Sequence, residues 1–157
     1  MLSFGIHDTK TFMALLLKSN TFDSFDFRQG DITTFASFSI DGTRNPDFYP
    51  AERLEEGLSR FVSWEEMRPY VFQAVKGSTL PKSIKLVFSL SEEKMKNLPN
   101  ASAAFLNILF RDNVLTCTTA ISQKTFSLDK SEEKLWEEYV LKFFKKNSIG
   151  IQPRESL

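Results

Sequence analysis

Residues 2–10, LSFGIHDTK, and residues 86–94, LVFSLSEEK, share one pattern. Each segment has three apolar residues at alternating positions, followed four residues later by a lysine. Alternation of this kind is typical of a half-buried β-strand. A second pair of segments repeats in the same order, because FRQGDIT at 27–33 is matched by FRDNVLT at 110–116. Repetition at a fixed period constrains the architecture of a whole domain, so the sequence predicts two related halves.

Each predicted half, at about 2–42 and 84–128, consists of a strand, a short helix and further strands. The predicted strands and helices are strand 2–7, helix 8–18 capped by Asp8, and a hairpin that turns at Gly30-Asp31, then strand 84–90, helix 91–98, and a hairpin 104–121 that turns at Asp112-Asn113. The expected fold class is α+β, with duplicated βαβββ units and an additional C-terminal helix.

The rest of the chain does not belong to the repeat. Residues 43–68 contain Pro46, Pro50 and Gly57 and are predicted to be an irregular insertion. The short apolar run 70–76 is predicted to pair as a strand with 83–90. A helix at 131–146 places Trp136, Tyr139, Val140 and Phe143 on one face, which we expect to be buried. We expect one domain over 1–147 and a flexible tail over 148–157.

Composition excludes several classes of protein. Apolar residues make up 41% and charged residues 25%, which is typical of a folded globular domain and far from the composition of disordered chains. Lys and Arg balance Asp and Glu at 20 each, so no overall charge attracts nucleic acid or membrane. Because Cys117 is the single cysteine and no basic leader or long apolar stretch is present, a cytoplasmic protein without membrane contact is expected.

The duplicated strand-helix-strand order resembles one domain of the sliding clamps, the processivity factors of replication. The resemblance covers about residues 2–128 and implies two helices side by side against curved sheets. By analogy with the basic helices of clamps, it also implies contacts with DNA. The implied contact residues are Lys10, Lys18, Lys94, Lys96, Arg28 and Arg111. The chain is also similar to a group of bacterial proteins of unassigned function.

Arg28 and Arg111 occupy equivalent positions in the repeat, each directly after a phenylalanine and before a predicted turn. Two cations related in this way would suit the phosphates of a DNA backbone. Each arginine would equally suit a carboxylate in its own turn, at Asp31 or Asp112. The sequence leaves both interpretations open.

Catalysis has no positive support in the sequence, and no cofactor or metal is implied. His7 is the only histidine and cannot form a multiple-histidine metal site, and Cys117 lies in a predicted strand, where a thiol is usually a core residue. Asp23, Asp26 and Asp31 are interpreted as solvated carboxylates, because their spacing in a strand does not place them on one face.

Two functions from different classes remain as hypotheses. The first is a non-enzymatic binding or scaffold module with a clamp-like fold that contacts DNA or a replication-type protein. The alternative is a small-molecule-binding or catalytic domain with a pocket near 43–68, lined by Tyr49, Trp64, Arg68 and Tyr70. An interaction subunit that does not bind nucleic acid is a third possibility. The sequence identifies neither the partner nor the oligomeric state.

Overall fold

The computed structural model describes residues 1–153, which form an α+β fold, as the sequence predicts. The strands of the described part are β1 (Ser3–Ile6), β2 (Asp26–Thr33), β3 (Ser37–Asp41), β4 (Ser83–Ser89), β5 (Ala101–Arg111), β6 (Val114–Gln123) and β7 (Ile151–Pro153). The α-helices are α1 (Thr9–Lys18), α2 (Ala51–Glu55), α3 (Trp64–Val75) and α4 (Ser131–Lys146), and 3-10 helices cover Pro46–Phe48 and Glu92–Asn97.

All the strands of the described residues join one sheet in the order β3-β2-β4-β5-β6-β1-β7. Every neighbouring pair is antiparallel. The hairpin of β5 and β6 forms the centre of this sheet and was predicted from the sequence. Asp112 and Asn113 have φ of 53° and 61°, which are the positive values that a two-residue type I′ hairpin turn requires. Asp and Asn tolerate these values better than most residues, which explains where the chain turns.

One face of the sheet carries the core. Leu106, Ile108 and Phe110 alternate along β5 and are almost fully buried. Helices α1, α3 and α4 cover this face, and phenylalanines join the layers: Phe4 of β1 meets Phe144 of α4 with ring centroids 5.1 Å apart. Trp136 and Val140 of α4 are buried, as predicted, but Tyr139 is 37% exposed and Phe143 is only half-buried. Phe144 completes the buried face instead, because the helix turns this residue towards the sheet. The opposite face, here called the polar face, carries residues such as Asn107.

The predicted turn at Gly30-Asp31 is wrong. Strand β2 continues through both residues and pairs with β3 and β4 as far as Thr33. Gly30 serves packing within this strand, because a Cβ atom there would lie 3.0 Å from the Phe27 ring and 3.2 Å from Leu86. The glycine therefore marks a close approach of side chains to the backbone.

The predicted strand at 70–76 is also wrong, because these residues belong to α3. Ser63 caps this helix: its hydroxyl accepts a hydrogen bond from the backbone N–H of Glu66, whose carboxylate accepts one from the backbone N–H of Ser63. This capping box fixes the start of the helix. Pro69 lies inside the helix and removes only one backbone donor, so it hides the helix in the sequence without preventing it.

The two halves do not occupy equivalent places in the sheet. Strand β1 lies between β6 and β7, whereas β4 lies between β2 and β5. Helix α1 is a regular α-helix, but its expected counterpart is the 3-10 helix Glu92–Asn97, whose preceding Ser91 makes no side-chain cap. A short segment before Pro99 leaves no room for a longer helix. The duplicated, clamp-like arrangement is therefore not confirmed.

The chain continues to pack against the domain beyond residue 148, where we expected a flexible tail. Ile149 is buried, and β7 pairs with β1 through Ile151 and Gln152. This strand covers part of an edge that β1 would otherwise expose to solvent. Residues 154–157, the end of the expected tail, lie outside the described part of the chain.

Candidate functional site

A groove of about 710 Å³ lies between α1, α3 and the loop 77–81. We call it the lysine-rimmed groove. Its apolar lining consists of Met13, Ala14, Leu17, Phe72, Val75, Leu80, Pro81 and Phe110. Its polar lining consists of Thr9, Lys10, Lys18, Lys76, Thr79 and Asn113, and Gly77 completes it. The size is in the range of cavities that hold small organic molecules in proteins.

Helix α1 forms one wall. Asp8 fixes the start of the helix, because its carboxylate accepts hydrogen bonds from the backbone N–H and the hydroxyl of Thr11. Lys10, Ala14 and Leu17 then recur at helical spacing, which places them along one side of the helix. Lys10 and Lys18 are separated by about 12 Å along the helix axis. The groove therefore has a cation near each end of this wall.

The opposite wall comes from the end of α3 and the loop after it. Gly77 has φ of +153°, a conformation that L side chains rarely adopt, and it redirects the chain after the helix. The loop then returns to the sheet, where the backbone N–H of Lys82 donates to the carbonyl oxygen of Thr33 at 2.9 Å. Between these two points Leu80 remains 71% exposed. A loop fixed at both ends thus presents an apolar side chain to the groove.

The charge of the lining has one sign. Lys10, Lys18 and Lys76 are exposed at the rim, and among the described residues no Asp or Glu lines the groove. Long aliphatic stems allow lysines to border an apolar surface while their ammonium groups remain in water. An apolar floor with a cationic rim is complementary to a molecule that has an apolar body and an anionic group.

The four lysines expected to contact DNA do not converge. Lys10 and Lys18 line the groove beside Phe110, whereas Lys94 and Lys96 line a separate cavity of about 530 Å³ beside Leu90 and Leu98. The backbone N–H of Leu90 donates to the carbonyl oxygen of Ala104, six residues before Phe110 on the same strand. Six residues of strand span about 20 Å, so the two pairs of lysines lie towards opposite ends of the sheet.

Arg28 and Arg111 have different environments. Arg111 is exposed beside the β5–β6 turn. Arg28 is half-buried on the polar face, with its guanidinium carbon 3.7 Å from the centroid of the Phe61 ring. Its Nε donates to the Ser89 hydroxyl oxygen at 2.8 Å. Neither arginine forms an ion pair with the aspartate of its predicted turn in the described residues.

The pocket expected from Tyr49, Trp64, Arg68 and Tyr70 is not assembled. Trp64 is fully buried and donates its indole N–H to the carbonyl oxygen of Leu16. Arg68 makes two hydrogen bonds of 2.9 Å to Asp23, and Tyr70 is 70% exposed. The four side chains therefore have separate structural environments. Asp23, interpreted as solvated, is instead the partner of Arg68.

Arg44 organises the insertion instead. Its guanidinium donates to both carboxylate oxygens of Glu66, at 2.9 and 3.0 Å, and to the hydroxyl oxygen of Tyr49 at 2.8 Å. It also donates to the carbonyl oxygens of Ser59 and Phe61. The hydrogen bonds that Glu66 accepts, first from Arg44 and then from Ser63, lower its pKa to about 2. The expected irregular insertion is thus fixed to the start of α3 by one arginine.

Asp26 also departs from the expectation that the aspartates are solvated, and in a different way from Asp23. It is 9% exposed, and no group in residues 1–153 donates a hydrogen bond to its carboxylate. Burial raises its pKa to about 6, although the nearby charge of Arg28 acts in the opposite direction. Nothing in the sequence indicated that a carboxyl group on the polar face would have a raised pKa.

The other candidates of the sequence have structural environments. His7 is exposed, and its backbone N–H donates to the carbonyl oxygen of Gly150. Cys117 is fully buried, and burial raises the pKa of its thiol far above the usual range, which opposes nucleophilic reactivity. In the described part of the chain, no group of His, Cys, Asp and Glu side chains is arranged to hold a metal ion.

Sequence reasoning identified Lys10 and Lys18 but missed the groove itself. The wall formed by Phe72 and Val75 was assigned to a strand, and the loop around Leu80 had no visible role. A signal was available in the spacing of Trp64, Val71 and Val75, which fits one face of a helix.

No helix in residues 1–153 has the length and apolar character needed to cross a membrane.

Comparison with known proteins adds a family but no activity. No curated protein and no solved structure matches the chain. A family model does match, over residues 15–152, which include nearly all of the sheet, α3, α4 and most of the groove lining. The chain therefore belongs to the family of unknown function designated DUF5721.

Proposed function

We propose that the protein is a non-enzymatic binding module that holds an amphipathic organic anion in the lysine-rimmed groove. One observation carries this proposal. The groove combines an apolar lining, from Met13 to Phe110, with three lysines, and no Asp or Glu of residues 1–153 lines it. A fatty acid is the simplest ligand of this chemistry. Its chain would lie against α1 and Leu80, and its carboxylate would face the lysines.

The energetics favour an apolar contribution to affinity and an ionic contribution to selectivity. Burial of a methylene contributes about 0.8 kcal/mol, so two additional methylenes should tighten binding by roughly tenfold until the groove is filled. Contacts between the carboxylate and exposed lysines contribute less, because solvent screens them. The ammonium groups would nevertheless exclude a cationic head group by like-charge repulsion.

The proposal is for binding without chemistry. Within residues 1–153, the groove lining contains no histidine, cysteine or carboxylate that would serve as a general base or nucleophile. Lys10, Lys18 and Lys76 are exposed, and an exposed lysine remains a charged hydrogen-bond donor.

Isothermal titration with three ligands of equal chain length tests the proposal. We expect dodecanoate to bind, dodecanol to bind more weakly, and dodecylamine to bind least. The triple variant Lys10→Ala, Lys18→Ala, Lys76→Ala should lose the preference for dodecanoate over dodecanol. A matched triple variant at the exposed lysines Lys124, Lys145 and Lys146 should keep it, because these residues do not line the groove. Equal binding of all three ligands by the wild type would contradict the proposal.

A blocking variant separates binding in the groove from adsorption elsewhere. Ala14 is exposed on α1 and lines the groove, so Ala14→Trp would fill space there without disturbing the core. We expect this variant to melt within a few degrees of the wild type and to lose dodecanoate binding. Retained binding would show that the ligand occupies another site.

Duplex DNA is the second candidate ligand, because Lys10, Lys18 and Lys76 also form an exposed cationic rim. With three phosphate contacts, log affinity should fall with log salt at a slope of about −3 or less steep. The lysine variant would lose DNA binding and would bind dodecanoate no better than dodecanol, but Ala14→Trp should weaken binding of dodecanoate alone. DNA binding that survives Ala14→Trp, together with no binding of dodecanoate, would favour the nucleic-acid interpretation.

A further inference from the structure

A second site lies on the polar face of the sheet, away from the groove, where β2 pairs with the end of β4. Asp26 is directly opposite Ser89 in this pairing, and Arg28 follows on the same strand. The register shifts between Phe27 and Gln29, which marks a β-bulge at Arg28. Bulges redirect side chains, and this one places a guanidinium beside a buried carboxyl group.

Arg28 is held rigidly but incompletely bonded. Its guanidinium stacks on the Phe61 ring at 3.7 Å and lies 5.3 Å from the centroid of the Phe105 ring. The fully buried Ser89 accepts the hydrogen bond from Nε. In residues 1–153, neither Nη atom donates a hydrogen bond. The two Nη groups therefore remain available, on a fixed planar group, to donate to an oxygen of a carboxylate.

Asp26 supplies the second unusual group. Its side chain is nine-tenths buried, yet it forms neither a hydrogen bond nor an ion pair with Arg28 or any other residue among 1–153. The unbonded carboxylate oxygens of Asp26 still reach the surface, because Thr34 Oγ1 is the one side-chain polar atom in residues 1–153 that is both enclosed and unbonded. Arg28 and Asp26 are therefore neighbours that do not bond each other, and both can still form hydrogen bonds with a ligand.

We propose that Asp26 and Arg28, with Ser89 holding the guanidinium in position, form a binding site for a small carboxylate. One ligand oxygen would accept hydrogen bonds from the free Nη atoms of Arg28. The other would accept a hydrogen bond from Asp26 in its protonated form. An ionised Asp26 would repel the ligand instead, so above the pKa of Asp26 the binding of one carboxylate is accompanied by the uptake of one proton.

The charges around Asp26 come from several elements. Arg28 lies on the same strand, Arg44 follows β3, Glu66 lies on α3 and Glu92 on the 3-10 helix after β4. Arg44 is already bonded to Glu66. Arg60 lies over the same Phe61 ring as Arg28, at 5.2 Å from its centroid, and adds positive charge near the site. Desolvation is the main cause of the raised pKa of Asp26, at about 6, and Glu92 and Glu66 act in the same direction.

Titration with formate, followed by the backbone amide resonances of residues 28 and 89, tests this site. Formate remains predominantly ionised between pH 5 and pH 8, so changes in its affinity report on the protein. We expect wild-type Kd to be at least tenfold lower at pH 5 than at pH 8. Asp26→Asn replaces the ionisable group with a permanent N–H donor and should bind formate with the same Kd at both pH values.

Two further variants complete the test. Arg28→Lys should lose formate binding at both pH values, whereas Arg111→Lys, an exposed arginine in the other repeat motif, should behave as the wild type. Backbone amide spectra report whether each variant is folded. Equal Kd values for the wild type at pH 5 and pH 8, or an undiminished pH dependence in Asp26→Asn, would overturn the proposal.

Discussion

At the scale of single residues, two acidic groups that lie near arginines in the structure have opposite environments. Glu66 accepts two hydrogen bonds from Arg44 and is held ionised, with its pKa lowered to about 2. Asp26 is near Arg28 but unbonded, and burial raises its pKa to about 6. The sequence does not indicate which acidic group is bonded and which is buried, because both properties depend on how distant segments pack.

The raised pKa of Asp26 predicts a pH-dependent effect on stability. Because the folded pKa exceeds the ordinary value of 3.8, the folded protein binds this proton more tightly than the unfolded chain. The resulting stabilisation is fully present below that ordinary value and is lost as pH rises through about 6. Relative to the wild type, Asp26→Asn should gain roughly 1 to 3 kcal/mol of unfolding free energy between pH 4 and pH 8.

Urea denaturation at the two pH values measures this difference. Asp31→Asn is the control, because Asp31 lies on the same strand but is only half-buried. Its difference between pH 4 and pH 8 should be smaller. The same change in both variants would mean that burial of Asp26 has no special effect on stability.

At the scale of elements, the sequence predicts best where local pattern and tertiary environment agree. Strand β1, helix α1, the β5–β6 hairpin and helix α4 all have a clear apolar period, and α1 and the hairpin also have a fitting cap or turn. Pro69 concealed helix α3, and Gly30 was taken as a turn signal. In each case the structure overrode a residue preference: the Ser63 capping box starts α3 before Pro69, and the Phe27 ring lies close to the backbone at Gly30 in β2.

The cap of α3 can be tested with a matched pair of substitutions. Glu66 bonds both Ser63 and Arg44, whereas Glu65 lies in the same first turn and is exposed without such bonds among the described residues. Glu66→Ala should lower the free energy of unfolding by about 1 to 2 kcal/mol, and Glu65→Ala by less than about 0.5 kcal/mol.

Chemical denaturation at neutral pH gives both values. The effect of Glu66→Ala should shrink on acidification, because a lowered folded pKa gives stability that is present above the ordinary value of 4.5 and is lost as pH falls towards about 2. Equal losses for the two variants would contradict the role of Glu66 in joining α3 to the insertion.

At the scale of the whole molecule, the repeat in the sequence did not predict the order of the strands. The motif at 27–33 lies within β2, which pairs with β3 and β4, whereas the similar motif at 110–116 spans the turn between β5 and β6. Strand order depends on long-range pairing, which local spacing does not encode. For the same reason, two of the rim lysines could be identified in the sequence, but the groove between α1, α3 and the loop could not.

The central claim is that the lysine-rimmed groove binds an amphipathic anion, and the most direct measurement is of contacts between ligand and protein protons. In a complex with dodecanoate, intermolecular nuclear Overhauser effects should connect the acyl chain to the methyl groups of Met13, Leu17 and Leu80, which line the groove. Contacts to Leu135 in the cavity beside Trp136, or the absence of contacts at saturating dodecanoate, would contradict the claim.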